Sequence, residues 1–77
     1  MDGSSIEFDY SKLRGRIREK FHTEQDFGNA MKLSHTSLSK KLNGKVRFNH
    51  GELFKMQKLL DISDVEFSTY FFTEKVQ

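Results

Sequence analysis

MKLSHTSLSKKLNGK, residues 31–45, holds two leucines, Leu38 and Leu42, one helical turn apart. Around them stand Ser34, His35, Thr36, Ser37, Ser39, Lys40 and Lys41, all of them polar or cationic. Residues four apart share a helix face, so a helix over about 35–42 can bury only one narrow stripe. The remainder of its surface offers hydrogen bonds and positive charge. Asn43-Gly44 ends it, with the glycine suited to a left-handed cap. A polar helix beside a basic loop needs a reason to exist, and the rest of the chain narrows what that reason is.

Other helix starts are marked by short polar caps, and apolar residues just before the cap and four after it clamp the entry. Phe8-Asp9 with Leu13 predicts a helix over about 10–21. Thr23 with Phe27 predicts a second over about 24–31, with His22 in the place of the leading apolar residue. Leu33-Ser34 with Leu38 opens the third, over about 35–42. Phe48-Asn49 with Leu53 predicts a fourth over about 50–60, and Glu52 completes a capping box. Ile62-Ser63 with Phe67 predicts a fifth over about 64–71, with Glu66 completing another. The inward faces are Leu13, Ile17 and Phe21, then Phe27, Ala30 and Met31, then Leu38 and Leu42, then Leu53, Met56 and Leu60, then Phe67 and Phe71. No strand alternation and no repeat is visible. The fold class is all-α, a compact bundle of five short helices, with residues 1–8 as a flexible tail (Met1–Ser5 loosest) and 9–77 as one domain.

Composition limits the functions available. Seventy-seven residues suffice for one small domain with little core. The absence of cysteine excludes disulfides and thiolate metal sites and suits a reducing cytoplasm. Three scattered histidines lack metal-ligand spacing. No apolar run approaches the roughly 20 residues of a membrane span, and the opening MDGSSIE is unlike a secretory leader. The net charge of +2 is unevenly placed: residues 1–31 sum to −1, residues 32–58 to +6 and residues 59–77 to −3. A localised basic patch fits an anionic partner, nucleic acid first, or a merely solvated lysine-rich surface.

The second and third helices are joined by only Lys32-Leu33-Ser34, which suits a helix-turn-helix corner. Gly28 agrees, since a glycine inside a helix costs roughly 1 kcal/mol and makes sense where another element presses close. With Thr23-Glu24-Gln25-Asp26-Phe27-Gly28, that turn, and Ser37-Leu38-Ser39-Lys40-Lys41-Leu42-Asn43-Gly44-Lys45, the chain resembles the lambda-repressor/Cro helix-turn-helix superfamily. Leu59-Leu60-Asp61-Ile62-Ser63-Asp64-Val65-Glu66-Phe67 is similar to that superfamily's link between fourth and fifth helices. The opening Phe8–Ile17 and the closing Tyr70-Phe71-Phe72 resemble small Cro-like proteins and modulators of repression from temperate phages of Gram-positive bacteria. Three departures stand out: Lys32 where glycine is usual in the turn, Lys41 where an inward apolar residue is common, and Glu24 where glutamine often opens the second helix.

The resemblance implies that the third helix meets base edges in the major groove through His35, Thr36, Ser39 and Lys40. Their chemistry agrees: Lys40 can donate to guanine, the hydroxyls can donate or accept, and the Thr36 methyl can touch thymine. Phosphate contacts are expected from Gln25, Lys41, Asn43, Lys45 and Arg47. Arg14, Arg16 and Arg18 do not share a face and read as mostly solvated, with Arg14 and Arg18 a weak surface pair. The implied function is a Cro-like regulator of a phage lysis–lysogeny switch in the bacterial cytoplasm, associated with the nucleoid. Its partners would be a double-stranded DNA operator and a second copy as homodimer, with no membrane and no small-molecule substrate. The alternative is an antirepressor that binds the cognate phage repressor, either with DNA or instead of it. That alternative rests on aromatics that a small core cannot all absorb, with Phe54, Tyr70 and Phe72 as protein-interface candidates. Nothing in the sequence carries catalysis: there is no cysteine nucleophile, no glycine-rich phosphate loop and no recognisable serine–histidine–aspartate set. No cofactor is expected.

Overall fold

The computed structural model describes residues 7–75, so the expected loose tail Met1–Ser5 lies outside the described residues. Five helices follow one another: α1 (Ser11–Phe21), α2 (Glu24–Met31), α3 (His35–Leu42), α4 (His50–Leu59) and α5 (Phe67–Phe71). The fold is all-α, and no strand occurs among the described residues.

Three of the expected caps form as the sequence indicates. Thr23 Oγ1 accepts from Asp26 N at 3.0 Å, and Ser34 Oγ accepts from Ser37 N at 3.1 Å. Asn49 and Glu52 bond reciprocally, each side chain accepting from the other's amide at 2.7 and 2.9 Å. The two outer helices differ from expectation. Asp9 does not cap directly: its carboxylate accepts from Ser11 N at 2.8 Å and from Ser11 Oγ at 2.6 Å, and α1 begins at Ser11. Those bonds hold the Asp9 carboxyl below its ordinary 3.8. Ser63 Oγ accepts from Glu66 N at 3.3 Å, but residues 64–66 form tight turns with bonds from Glu66 N to Ser63 O and from Phe67 N to Asp64 O. The fifth helix therefore starts at Phe67, three residues later than the sequence suggests.

Three helices end alike. An amide just past the end reaches back five residues: Leu33 to Gly28 O (2.9 Å), Lys45 to Lys40 O (2.8 Å) and Ile62 to Gln57 O (3.0 Å). Each such ending needs a left-handed residue. Gly44 supplies one at φ 79°, but Lys32 and Asp61 supply the others at φ 60° and 55°.

α1 packs on α2 and α5, and α2 packs on α3 and α4, so α2 is the hub of the bundle. Phe27, Met56, Leu60, Phe71, Leu13, Ile17 and Leu38 are fully or almost fully enclosed. Phe21 lies at the edge of this core, its ring against Phe27 at 5.2 Å, and Phe67 is likewise only half-buried.

A clasp joins the two ends. Phe8 forms an isolated antiparallel bridge with Glu74, Asp9 N donates to Thr73 O at 2.7 Å, and Lys75 N donates to Glu7 O at 2.9 Å. The sequence reading places Glu7 and Phe8 in the tail, whereas the structure pairs both with the C-terminal segment. The Phe8 ring holds the clasp, lying edge-on to Phe72 at 5.6 Å. Arg16 is not solvated either: it donates to Leu60 O at 2.9 Å and Asp61 O at 3.1 Å, where a guanidinium satisfies the free carbonyls at the end of α4.

The left-handed lysine in the α2–α3 turn gives a direct test. Lys32→Gly is expected to raise stability by about 1 kcal/mol, because glycine removes the Cβ clash of that conformation. Chemical denaturation of the two proteins measures the difference.

Candidate functional site

The turn between α2 and α3 fixes which face of α3 looks outward. Gly28 lies against it: a Cβ there would sit 3.2 Å from Leu33 O and 3.5 Å from Leu38 Cδ2. Leu38 and Leu42 are buried behind this contact. His35, Thr36 and Lys40 are exposed, and Ser39 is half-buried. Together with Asn43 and Lys45 these four residues line one open concavity of about 250 Å³. The structure thus gathers all the expected base-facing residues and two of the expected phosphate contacts onto one surface.

The other phosphate candidates divide. Gln25 is exposed in the first turn of α2. Arg47 is exposed, with its guanidinium 5.2 Å from the centre of the Phe8 ring. Lys41 is turned inward. Its Nζ donates to Glu52 Oε1 at 3.0 Å and to Arg47 O at 3.2 Å, and the two charged side chains are only 13% and 17% exposed. Lys41 occupies a position that packs on Phe48, 5.9 Å from the ring centre, so its charge serves the α3–α4 junction and not the surface. Asn43 is engaged too, accepting from Arg14 Nη2 at 2.8 Å and donating to Ser39 Oγ at 3.3 Å.

Arg14 is the residue that sequence reasoning missed. Expected in the solvent beside Arg18, it instead donates from Nη1 to Glu24 Oε2 at 2.9 Å as well as to Asn43. One guanidinium so links α1, the first residue of α2 and the end of α3. No pattern within α1 signals this, because both acceptors lie on other elements, 10 and 29 residues away.

The aromatic candidates also separate. Phe54 is 60% exposed, with the Lys58 ammonium 4.7 Å from its ring centre, and Phe72 is 45% exposed. Tyr70 is 8% exposed, with the Lys12 ammonium 5.1 Å from its ring centre, so it packs into the core and does not stand out as an anchor. It sits three residues after Phe67 and one before Phe71, on the face that α5 turns to α1.

Residues 6–74 match a family described as a protein of unknown function, DUF739. The chain belongs to that family. It is also similar to the solution structure of the modulator of repression of the temperate bacteriophage TP901-1 from Lactococcus lactis, at 40% identity and a TM-score of 0.76, over 91% of this chain and 95% of that one. Identity and coverage at this level make the DUF739 chain and the phage modulator homologues. No curated protein matches.

Lys41 and Lys45 separate a structural cation from a surface one. Lys41→Ala strands Glu52 in a poorly hydrated place and is expected to cost about 1–3 kcal/mol. Lys45→Ala is expected to stay within about 0.5 kcal/mol of the wild type. Thermal unfolding of the two variants checks the contrast.

Proposed function

We propose that this chain regulates the lysis–lysogeny switch of a phage by modulating repression, and that it does so by reading operator DNA with the outer face of α3. The role is one of binding, not catalysis. The observation that carries the reading is the single concavity lined by His35, Thr36, Ser39, Lys40, Asn43 and Lys45. The homologous phage protein, whose name is modulator of repression, supports the regulatory part. The resemblance of residues 23–45 to the lambda-repressor/Cro helix-turn-helix supports the mode of binding.

In this reading α3 enters the major groove. Lys40 donates to a guanine edge, the Thr36 and Ser39 hydroxyls take whichever partner the base presents, and the Thr36 methyl meets a thymine methyl. Gln25, Lys45 and Arg47 set the position by holding phosphates and carry no sequence information.

A second reading has its own support. Lys41 and Asn43 engage partners inside the fold, which thins the phosphate grip. Phe54 meanwhile stays exposed beside a concavity of about 250 Å³ lined by Gln57, Lys58, Asp61, Ile62 and Asp64. Exposed aromatics next to a recess anchor protein partners. In that reading the chain acts on the phage repressor itself.

Selection from a randomised duplex pool at two salt concentrations tests the primary reading. Enrichment of one short motif is expected. Thr36→Ala and Lys40→Ala are expected to weaken binding to it by about 1–3 kcal/mol each and to relax the base preference beneath them. Absence of enrichment, together with capture of the purified repressor, overturns it in favour of the second.

A further inference from the structure

The α3 concavity adjoins another, of about 190 Å³, lined by Asp9, Ser11, Arg14, Leu42, Asn43 and Lys75. Asn43 belongs to both. The guanidinium of Arg14 therefore stands at the margin of the surface proposed to meet DNA. Its two terminal nitrogens nevertheless point to protein acceptors, Glu24 Oε2 at 2.9 Å and Asn43 Oδ1 at 2.8 Å.

Glu24 is well placed to keep it there. It is the first residue of α2, where free amides and the helix dipole favour a carboxylate. The ion pair is partly shielded, with the side chains 31% and 21% exposed, so salt screens it less than an open surface pair. Asp9, the carboxylate that lines this concavity, is held by Ser11 and does not compete for Arg14.

We infer that Glu24 withholds Arg14 from DNA phosphate, so that this carboxylate sets how tightly the α3 surface holds nucleic acid. The inference rests on the DNA-reading proposal and adds a built-in restraint to it. An arginine on a phosphate releases about one counterion, whereas an arginine on Glu24 releases none. The carboxylate itself also repels the phosphate that would take its place. Restrained in this way, the protein binds DNA below the strength its cations would allow and with a shallower dependence on salt.

Glu24→Gln keeps the shape and removes the charge. Binding of a short mixed-sequence duplex is measured by fluorescence anisotropy over a salt series, for the wild type, Glu24→Gln, Arg14→Gln and the double variant. Glu24→Gln is expected to bind roughly three- to tenfold more tightly at low salt, with a salt dependence steeper by about one unit. Arg14→Gln alone is expected to change wild-type affinity less than about twofold, and in the Glu24→Gln background to abolish most of the gain. That non-additivity is a signature that a purely structural role for the pair does not give. Amide spectra confirm the fold of each variant, and Glu24→Ala, which has the strongest helix propensity, carries the same expectation should Glu24→Gln unfold. A folded Glu24→Gln with unchanged or weaker binding, or a gain that survives Arg14→Gln, overturns the inference while leaving the DNA reading intact. No retention of duplex by either the wild type or Glu24→Gln at the lowest salt overturns both.

Discussion

Leu33 N donates to Gly28 O across the end of α2, and Leu33 O comes so near Gly28 that a Cβ there would lie 3.2 Å away. The orientation of α3 depends on this close approach. With only three residues between α2 and α3, the turn has no slack, and the side of α3 that meets α2 is determined. Leu38 and Leu42 go inward and join Phe27 in the core. Apart from Lys41, which Glu52 draws inward, the polar residues of α3 stay at the surface, and what they offer is hydroxyl, imidazole and ammonium. The tightness has a cost, visible at Lys32, which takes a left-handed conformation that glycine would adopt without strain.

Charge is managed around that helix as carefully as packing. A run of cations from Lys40 to Arg47 raises the potential of one face. Two carboxylates from neighbouring helices lower it again, Glu52 of α4 holding Lys41 and Glu24 of α2 holding Arg14. Both pairs are shielded enough that they form part of the architecture, and the cations of that run that stay on the open surface are Lys40, Lys45 and Arg47. That face thus offers more hydrogen-bonding side chains than open charges, the balance that the proposed reading of bases requires.

Much of this was legible from residue order. α3 runs from His35 to Leu42, the bounds that Ser34 and Asn43-Gly44 indicate, because caps are local and their chemistry is written in neighbouring residues. The same holds for Asn49 with Glu52. Where sequence reasoning fell short, the cause was contact between distant segments. The Phe8–Glu74 bridge is a single pair with no alternation to announce it. Arg14 and Arg16 read as solvated when α1 is considered alone, yet their long side chains cross to α2, α3 and the end of α4. Lys41 looked like a phosphate ligand because its shielded partner, Glu52, already had a capping role in the sequence. Tyr70 could have been placed inside from its spacing to Phe67, but in a helix of five residues a face is defined by too few positions to read with ease.

An amide-resolved titration by nuclear magnetic resonance, using the wild-type chain and duplex DNA from a phage early control region, addresses the α3 surface most directly. Shifts concentrated at residues 35–47, with Gln25 moving and Phe54 and Phe72 still, are expected if that surface reads DNA. Shifts confined to the Phe54 side of α4, or none at α3 with saturating duplex, would contradict it.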